Sequence, residues 1–421
     1  MKVVVLGGGV IGVTTAYLLA RSGCEVTLVE RRSDVGLETS FANAGEITPS
    51  GASPWPSPQL PFLAARWLLK ADAPLKIRAT AGMATWRWAR QVLGQCSAER
   101  FDYNRRRLIR LANYSRDRLR ELRAETGLDY DAKTLGVLHL YRDAALDQAE
   151  RDAPALQALG VPFERLDWSQ CQQAEPGLKH AREPFAGGLF FKDDESGDCL
   201  KFTQGLAALA KAAGVTFAFG KEVQRLEIEG GRIIAAIASN EAFRADAFIM
   251  SLGSWSPLLA KTFGAYLPVQ PVKGYSLTVD VADQGRAPRA SIMDEERKVA
   301  VTRLGNRIRV AGTAELAGFN ADLPAKRLRP LRKTLDEMFP GAAGDEAGEY
   351  WSGFRPTTPD GAPIIGRGPL QNLYFNLGHG TLGFTMACGS ARIVTDLLLG
   401  REPEIESADL GYDRFSRSRA A

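Results

Sequence analysis

The residues best suited to chemistry stand near the two ends of the chain. Gly7, Gly8, Gly9, Val10, Ile11 and Gly12 spell G-x-G-x-x-G, with its glycines at positions 7, 9 and 12. That spacing suits a bound pyrophosphate. Gly7 permits a tight turn, Gly9 lets backbone approach the phosphates, and Gly12 lets a helix pack closely on a strand. Glu30 stands 18 residues beyond Gly12, where a carboxylate accepts hydrogen bonds from ribose hydroxyls and disfavours a 2′-phosphate. Near the other end, a turn-rich stretch around Arg355 runs from Gly353 to Gly366. A second glycine-rich run, Gly378, His379, Gly380, Thr381, Leu382 and Gly383, leads into an apolar helical pattern. A helix N-terminus there offers partial positive charge to an electron-rich group.

The elements around these residues place them. Val3, Val4, Val5 and Leu6 form a β-branched run suited to a strand buried on both faces. Helical periodicity follows over 14–21, Gly23 ends it, and a second strand over 25–29 closes at Glu30. Strand, turn, helix, strand and acid in register predict a dinucleotide-binding unit. After Glu30 and Arg31 the chain stays in small polar residues and reaches Asn43, Ala44 and Gly45. An NAD unit would continue into another helix and strand; backbone fit to lie against a flat ring favours FAD. A strand over 247–252 ends at Gly253, again consistent with backbone packed near a nucleotide.

The middle of the chain differs. Four of the seven tryptophans (Trp55, Trp67, Trp86 and Trp88) fall in one region. It reads either as an amphipathic surface for a membrane face or a quinone, or as a substrate-domain lid with a buried apolar face. Nine arginines crowd residues 100–123, yet Leu108, Leu111, Ala112, Ser115, Leu119 and Leu122 recur at helical spacing. The arginines are then expected on a solvated helix face. Residues 193–198 are acidic but lack the spacing of a calcium loop, and are expected to be a turn. Stretches over 272–281, 298–303 and 306–311 alternate apolar and polar residues as half-buried antiparallel strands do.

Composition sets the bounds. The chain has 421 residues, 45% hydrophobic and 24% charged, enough for a sizeable core and more than one domain. A net charge of +4 is too weak to imply nucleic acid. Five scattered cysteines without a CxxC pair and only three histidines argue against a disulfide framework or a metal centre. Arg21 interrupts the apolar N-terminal stretch, so a cytosolic, uncleaved chain is expected. Its expected location is cytoplasmic, with a peripheral contact on the cytoplasmic face of the inner membrane if the tryptophan region is a membrane surface. The 42 glycines exceed the usual share of about 7%. Some of them are expected to be places where backbone touches a cofactor.

Taken together, the N-terminal unit, ETSFANAGEITPSGASPW, VKGYSLTV, AVTRLGNRIRVAG, GFRPTTPDGAPIIGR and GHGTLGFTMACGS resemble the small-subunit family of bacterial D-amino acid dehydrogenases. That family lies within the D-amino acid oxidase, glycine oxidase and sarcosine oxidase group. The resemblance implies an α/β (α+β overall) protein, with a Rossmann-like FAD-binding domain and a second, mostly antiparallel β-sheet substrate domain. The expected division is 1–48, 196–270 and 346–405 for FAD, 49–195 and 271–345 for substrate, and 406–421 as a tail. It implies that Gly7, Gly9, Val10, Ile11, Gly12, Glu30 and Arg31 hold the ADP part, with Val223 at adenine and Gly253 nearby. Ser40, Asn43, Ala44 and Gly45 would line the ring, with Gly378, Gly380, Thr381, Leu382 and Gly383 closing around it. Arg355 would pair with the substrate carboxylate, and Tyr275 and His379 are candidate pocket residues. Glu46 departs from the pattern, which has Gln there.

The expected activity is oxidative deamination of a D-amino acid, with hydride passing from Cα to flavin N5 and electrons to a quinone or other non-oxygen acceptor. No catalytic side chain is required if the amine arrives neutral. One alternative is an oxygen-using oxidase of glycine, sarcosine or a cyclic secondary amino acid such as D-proline or hydroxyproline. A second is a non-catalytic flavin-binding subunit.

Overall fold

A computed structural model describes residues 1–68, 75–77, 82–142, 144–344 and 346–416. Two sheets carry the architecture. The first has six strands in the order Ile364–Arg367, Leu373–Leu377, Ala247–Met250, Lys2–Leu6, Glu25–Val29 and Thr216–Ala218. All its pairings are parallel except that of the outer two strands, Ile364–Arg367 and Leu373–Leu377. Val3, Val4, Val5 and Leu6 are buried on both faces, as a parallel strand covered on each side must be. Helices Val10–Arg21, Cys199–Ala212 and Gly383–Leu398 join one core cluster with Val3 and Val5. The hairpin Val223–Glu229 and Arg232–Ala238 closes the other face, beside Val4 and Leu6.

The second sheet runs Glu349–Thr357, Gln270–Asp280, Arg307–Leu316, Val299–Leu304, Ser291–Asp294, Val137–Tyr141, Gly187–Phe191 and Glu164–Asp167. The short strand Leu75–Ile77 adds to the end of Arg307–Leu316. One face buries Leu277, Val279, Ile308 and Val310 against Leu331, Leu335 and Met338 of helix Ala325–Met338. The other face carries Gly274, Gly353, Ala311 and Ala300, and these small residues make room for a cavity.

Two segments fall outside the expected division. Strand Glu349–Thr357 pairs along its whole length with Gln270–Asp280, so this part of 346–405 lies in the second sheet. Helix Ala98–Thr126, placed by its position in the chain with the substrate segments, packs instead on Gly383–Leu398. Gly389 N donates to Ser115 Oγ at 3.0 Å, and a Cβ on Gly389 would lie 2.8 Å from that of Ser115. Small residues at the crossing let the two backbones approach, and Leu108, Leu111 and Leu119 then enter the core of the six-stranded unit. Sequence periodicity marks an apolar face but not which core receives it.

The arginine face is also more than solvated. Arg107, 3% exposed, and Arg414 both bond Asp360 Oδ2, at 2.7 and 2.9 Å. Arg120 and Arg123 hold the buried Glu195, and Arg110 pairs with Asp409 at 2.6 Å. The acidic stretch 193–198 therefore does more than turn: Glu195 anchors this helix, and Asp198 caps helix Cys199–Ala212 by accepting from Leu200 N and Lys201 N.

Burial pushes the Asp360 carboxyl up, but Arg414 and Arg107 outweigh burial and hold it well below the usual range. A depressed native pKa adds stability above the unfolded value near ~3.9 that is lost as pH falls below it. Asp360→Ala leaves two buried guanidinium groups unpaired and should cost about 3–5 kcal/mol in urea unfolding at neutral pH. The loss should shrink below about pH 3.

Candidate active site

Between the two sheets lies a cavity of about 1140 Å³, larger than the usual ~300–1,000 Å³ of a small-molecule pocket. One end is the glycine turn. Gly7 has φ +110°, and a Cβ there would sit 2.5 Å from the Ser251 carbonyl oxygen. A Cβ on Gly12 would fall 1.9 Å from Gly7 O, so Gly12 works beneath the turn, by packing. The Glu30 carboxylate braces the loop, accepting from Gly8 N at 2.6 Å and Arg32 N at 2.8 Å. Arg31 lies 3.8 Å over the Trp255 ring and pairs with Glu38. Helix Val10–Arg21 begins at Gly9, which has no side chain to cap it; Ser40 Oγ accepts from Val10 N at 3.0 Å, and the next N–H groups remain for an anionic ligand. Val223 and Gly253 line the same cavity.

Midway, Asn43 Oδ1 accepts from Gly45 N at 3.1 Å, and Arg309 donates to Asn43 O at 3.1 Å. Gly45 has φ +75°, and a Cβ there would meet Gly197 O at 2.7 Å. Across the cavity, 378–383 leads into helix Gly383–Leu398, again without a side-chain cap. His379 is 2% exposed, and burial lowers its pKa to about 3, so its imidazole is neutral. His379 Nε2, Asn376 Oδ1 and Ser251 Oγ are buried without a hydrogen-bond partner among the described residues. A glycine cradle, two helix N-termini and unpaired polar atoms on one cavity fit an FAD. Every residue assigned to the cofactor lines this cavity except Gly12.

Arg355 stands on the wall formed by strand Glu349–Thr357. Its Nη1 donates to Thr313 O at 2.9 Å. The guanidinium lies flat on Gly274, where a Cβ would come within 2.4 Å of Arg355 Cζ. No carboxylate among the described residues pairs with it, and burial alone lowers its pKa to about 10. It remains a cation at neutral pH, open to a ligand anion. Tyr275 reaches the cavity boundary, but its ring packs in the core under helix Ala325–Met338 and its hydroxyl donates to Glu315. Its side chain is therefore a core tyrosine's.

The sequence reading missed Gly274 and Gly353, which form the floor and wall beside Arg355. A Cβ on Gly353 would lie 2.0 Å from the Trp351 ring. Glycine inside an alternating strand pattern marks such close approach, and both sit in quoted motifs. His139 and Glu295, also on the cavity, carry no local signal that would have singled them out.

Among known proteins, the family model described as FAD dependent oxidoreductase matches residues 2–397. A D-amino acid dehydrogenase of Cereibacter sphaeroides is 52% identical over 416 residues, covering 99% of this chain and 95% of that one. A D-amino acid dehydrogenase of Agrobacterium fabrum is 48% identical over 417 residues, covering 99% and 100%. The structure of glycine oxidase from Bacillus cereus aligns with TM-score 0.74 and 22% identity, covering 96% of each chain. The L-proline dehydrogenase of P. horikoshii aligns with TM-score 0.75 and 19% identity, covering 99% and 98%. These two likenesses establish a shared fold.

Gly45→Val forces a left-handed backbone position and a clash with Gly197 at once. The purified variant should lose its visible flavin absorbance. Retention of FAD at wild-type stoichiometry would contradict the cradle.

Proposed function

The chain belongs to the FAD dependent oxidoreductase family, and on that premise we propose that it oxidatively deaminates D-amino acids to 2-oxo acids and ammonia. The observation that carries the reading is Arg355: an enclosed guanidinium on the cavity wall with no acidic partner among the described residues. Relatives near half identity over almost the whole chain are named for D-amino acids, which supports the substrate class. As an FAD-dependent oxidoreductase it is an enzyme, so the non-catalytic alternative is set aside.

The division of labour follows from the residues. Arg355 takes the substrate carboxylate in a two-point pair, and Gly274 and the Thr313 carbonyl fix the guanidinium plane. A fixed carboxylate orients Cα toward the ring and converts binding into alignment. FAD, held by the 7–12 turn, Asn43 to Gly45 and the 378–383 loop, would supply the two-electron oxidation of the Cα–H bond. The start of helix Gly383–Leu398, without a side-chain cap, lies on the cavity, where its backbone dipoles would favour an anionic reduced ring. His379 stays neutral and adds no competing charge. Water then hydrolyses the released imine.

The acceptor we propose is a quinone or another carrier other than oxygen, met at the cytoplasmic face of a membrane. Helix Met83–Leu93 supports both earlier readings of the tryptophan region. Its Trp88 is buried against Val272 and Leu316 and donates to Thr357 O at 2.9 Å, as a lid would. Met83, Trp86 and Leu93 are exposed on the same helix, and Phe62 on helix Leu60–Leu68. Exposed apolar side chains of this size suit a membrane surface. The side chain of Trp67 lies outside the described residues. Among the described residues no helix is long and apolar enough to cross a membrane.

Anaerobic D-alanine should bleach the flavin, with dye or quinone reduction far exceeding hydrogen peroxide formation in steady state. Dominant peroxide formation would favour the oxidase alternative. Arg355→Ala should lower kcat/KM for D-alanine by roughly 100-fold, about 3 kcal/mol. An unchanged value would remove Arg355 from substrate binding. Met83→Asp with Trp86→Asp should abolish liposome binding while preserving dye-linked activity; liposome binding at the wild-type level would refute the membrane contact.

A further inference from the structure

The cavity wall contains a second charged group of residues that the proposed reaction does not use. Glu46 follows the flavin-lining Gly45, and its Oε1 accepts from Ser291 Oγ at 2.8 Å, with Thr302 Oγ1 2.8 Å behind. Glu46 Oε2 has no hydrogen-bond partner among the described residues. His139 is 8% exposed, and its Nδ1 lies 2.8 Å from Glu295 Oε1. That contact fixes the imidazole and leaves Nε2, unpartnered among the described residues, on the cavity that His139 lines. Glu295 also pairs with Lys298, which is largely exposed. Behind them Asp194 is 1% exposed and bonded by Ser50. Tyr141, Asp152, Asp102 and Arg105 also line this cavity.

His139 and Lys298 outweigh burial and hold Glu295 well below the usual carboxylate range, so the enclosed acids of this group without a cation of their own among the described residues are Glu46 and Asp194. The proton affinities show the strain: burial raises Glu46, against weaker help from His139 and Ser291, and raises Asp194 to about 7. Burial would lower His139, but Glu295, Glu46 and Asp194 outweigh it and leave its affinity raised. Arg355 is the mirror case, a cation without its anion.

Sheet order sets the spacing between the two. The Arg355 guanidinium lies over Gly274 and bonds Thr313. From the strand of Thr313, the paired residues Ala311, Ala300, Met293 and His139 step across successive strands. At ~4.8 Å per strand, the three steps from the Thr313 strand to His139 span about 14 Å, and Ser291, which holds Glu46, stands two steps away at about 10 Å.

We propose that Glu46 and His139, backed by Glu295 and Asp194, form a subsite for the cationic side chain of a basic D-amino acid of the lysine or arginine class. Resting on the reading above, this names the substrate class of the same site. Arg355 holds the α-carboxylate, the aliphatic stem lies along Ala311, Ala300 and Met293, and the distal cation meets Glu46 Oε2 and His139 Nε2. A short side chain does not span the floor. The arriving cation displaces the protons the cluster holds, so binding is coupled to proton release and strengthens as pH rises from about 6 to 8.

The test measures flavin reduction by D-lysine and D-alanine in the holoenzyme at pH 6 and pH 8. The D-lysine to D-alanine ratio of kcat/KM should exceed one at pH 8 and fall at pH 6. Glu46→Gln and, separately, His139→Gln should cut that ratio by roughly tenfold or more while sparing D-alanine. Calorimetry with 2-methyl-D-lysine, which has no Cα hydrogen, in buffers of different ionisation enthalpy should show protons released by the wild type and fewer by Glu46→Gln. D-alanine reducing the flavin with a ratio below one at both pH values would overturn the subsite and leave the deamination reading intact. An equal fall for both substrates in both variants would also overturn it, placing the cluster at the α-amine. If no D-amino acid reduces the flavin, both readings fall.

Discussion

The structure around the cavity is arranged about one uncompensated cation. A guanidinium enclosed without an anion is costly unless hydrogen bonds or a ligand satisfy it. Here the protein supplies one hydrogen bond, from Nη1 to the Thr313 carbonyl, and a flat resting place on Gly274. Both depend on irregular backbone. Thr313 has φ +56°, and the pairing of Gln270–Asp280 with Arg307–Leu316 slips register between Lys273 and Tyr275. A bulge of this kind re-aims groups at the end of a ladder. The irregularity beside Arg355 thus turns a carbonyl toward the guanidinium without introducing an acid that would neutralise it.

That site is also where the two halves of the molecule interlock. Two residues past Arg355, Thr357 forms a bridge to His379, and Gly380 N donates to Pro356 O at 2.9 Å. The strand that carries Arg355 therefore runs directly onto the 378–383 loop on the other side of the cavity. Ser254 Oγ and Thr39 Oγ1 both donate to Phe354 O, at 2.9 and 2.8 Å, tying the same strand to the nucleotide side. Substrate and cofactor positions are set by one short piece of chain, so errors in either are shared.

This interlock explains what was legible in the sequence. The N-terminal unit was readable because its parts are consecutive: strand, turn, helix, strand and Glu30 interact with their neighbours in the chain. Its glycines are required by contacts made within or next to that unit, such as Gly12 on Gly7. The destination of helix Ala98–Thr126 was not readable, because its periodic apolar face fits either core and the deciding contact is with Gly389, far away in the chain. Tyr275 sits in a motif beside the site but points to the other face, since the bulge at Lys273 precedes it and alternation fixes the rest. Its neighbour Gly274, with no side chain to attract notice, is the residue on the cavity.

The same reasoning accounts for Glu46. A carboxylate beside a flavin-lining glycine appears in the sequence as a departure, with no indication of what balances it. In the fold it accepts from Ser291, and of the charged groups around it His139 lowers its proton affinity while burial and Glu295 raise it. Structural ion pairs elsewhere in the molecule are resolved differently: Asp360 has two arginines, and Glu195 has two. The chain therefore has the means to neutralise enclosed acids where stability requires it. On the cavity, acids with raised proton affinity stand on one wall and, on the other, a guanidinium without a carboxylate partner among the described residues, an arrangement that a ligand with complementary charges at both ends would relieve.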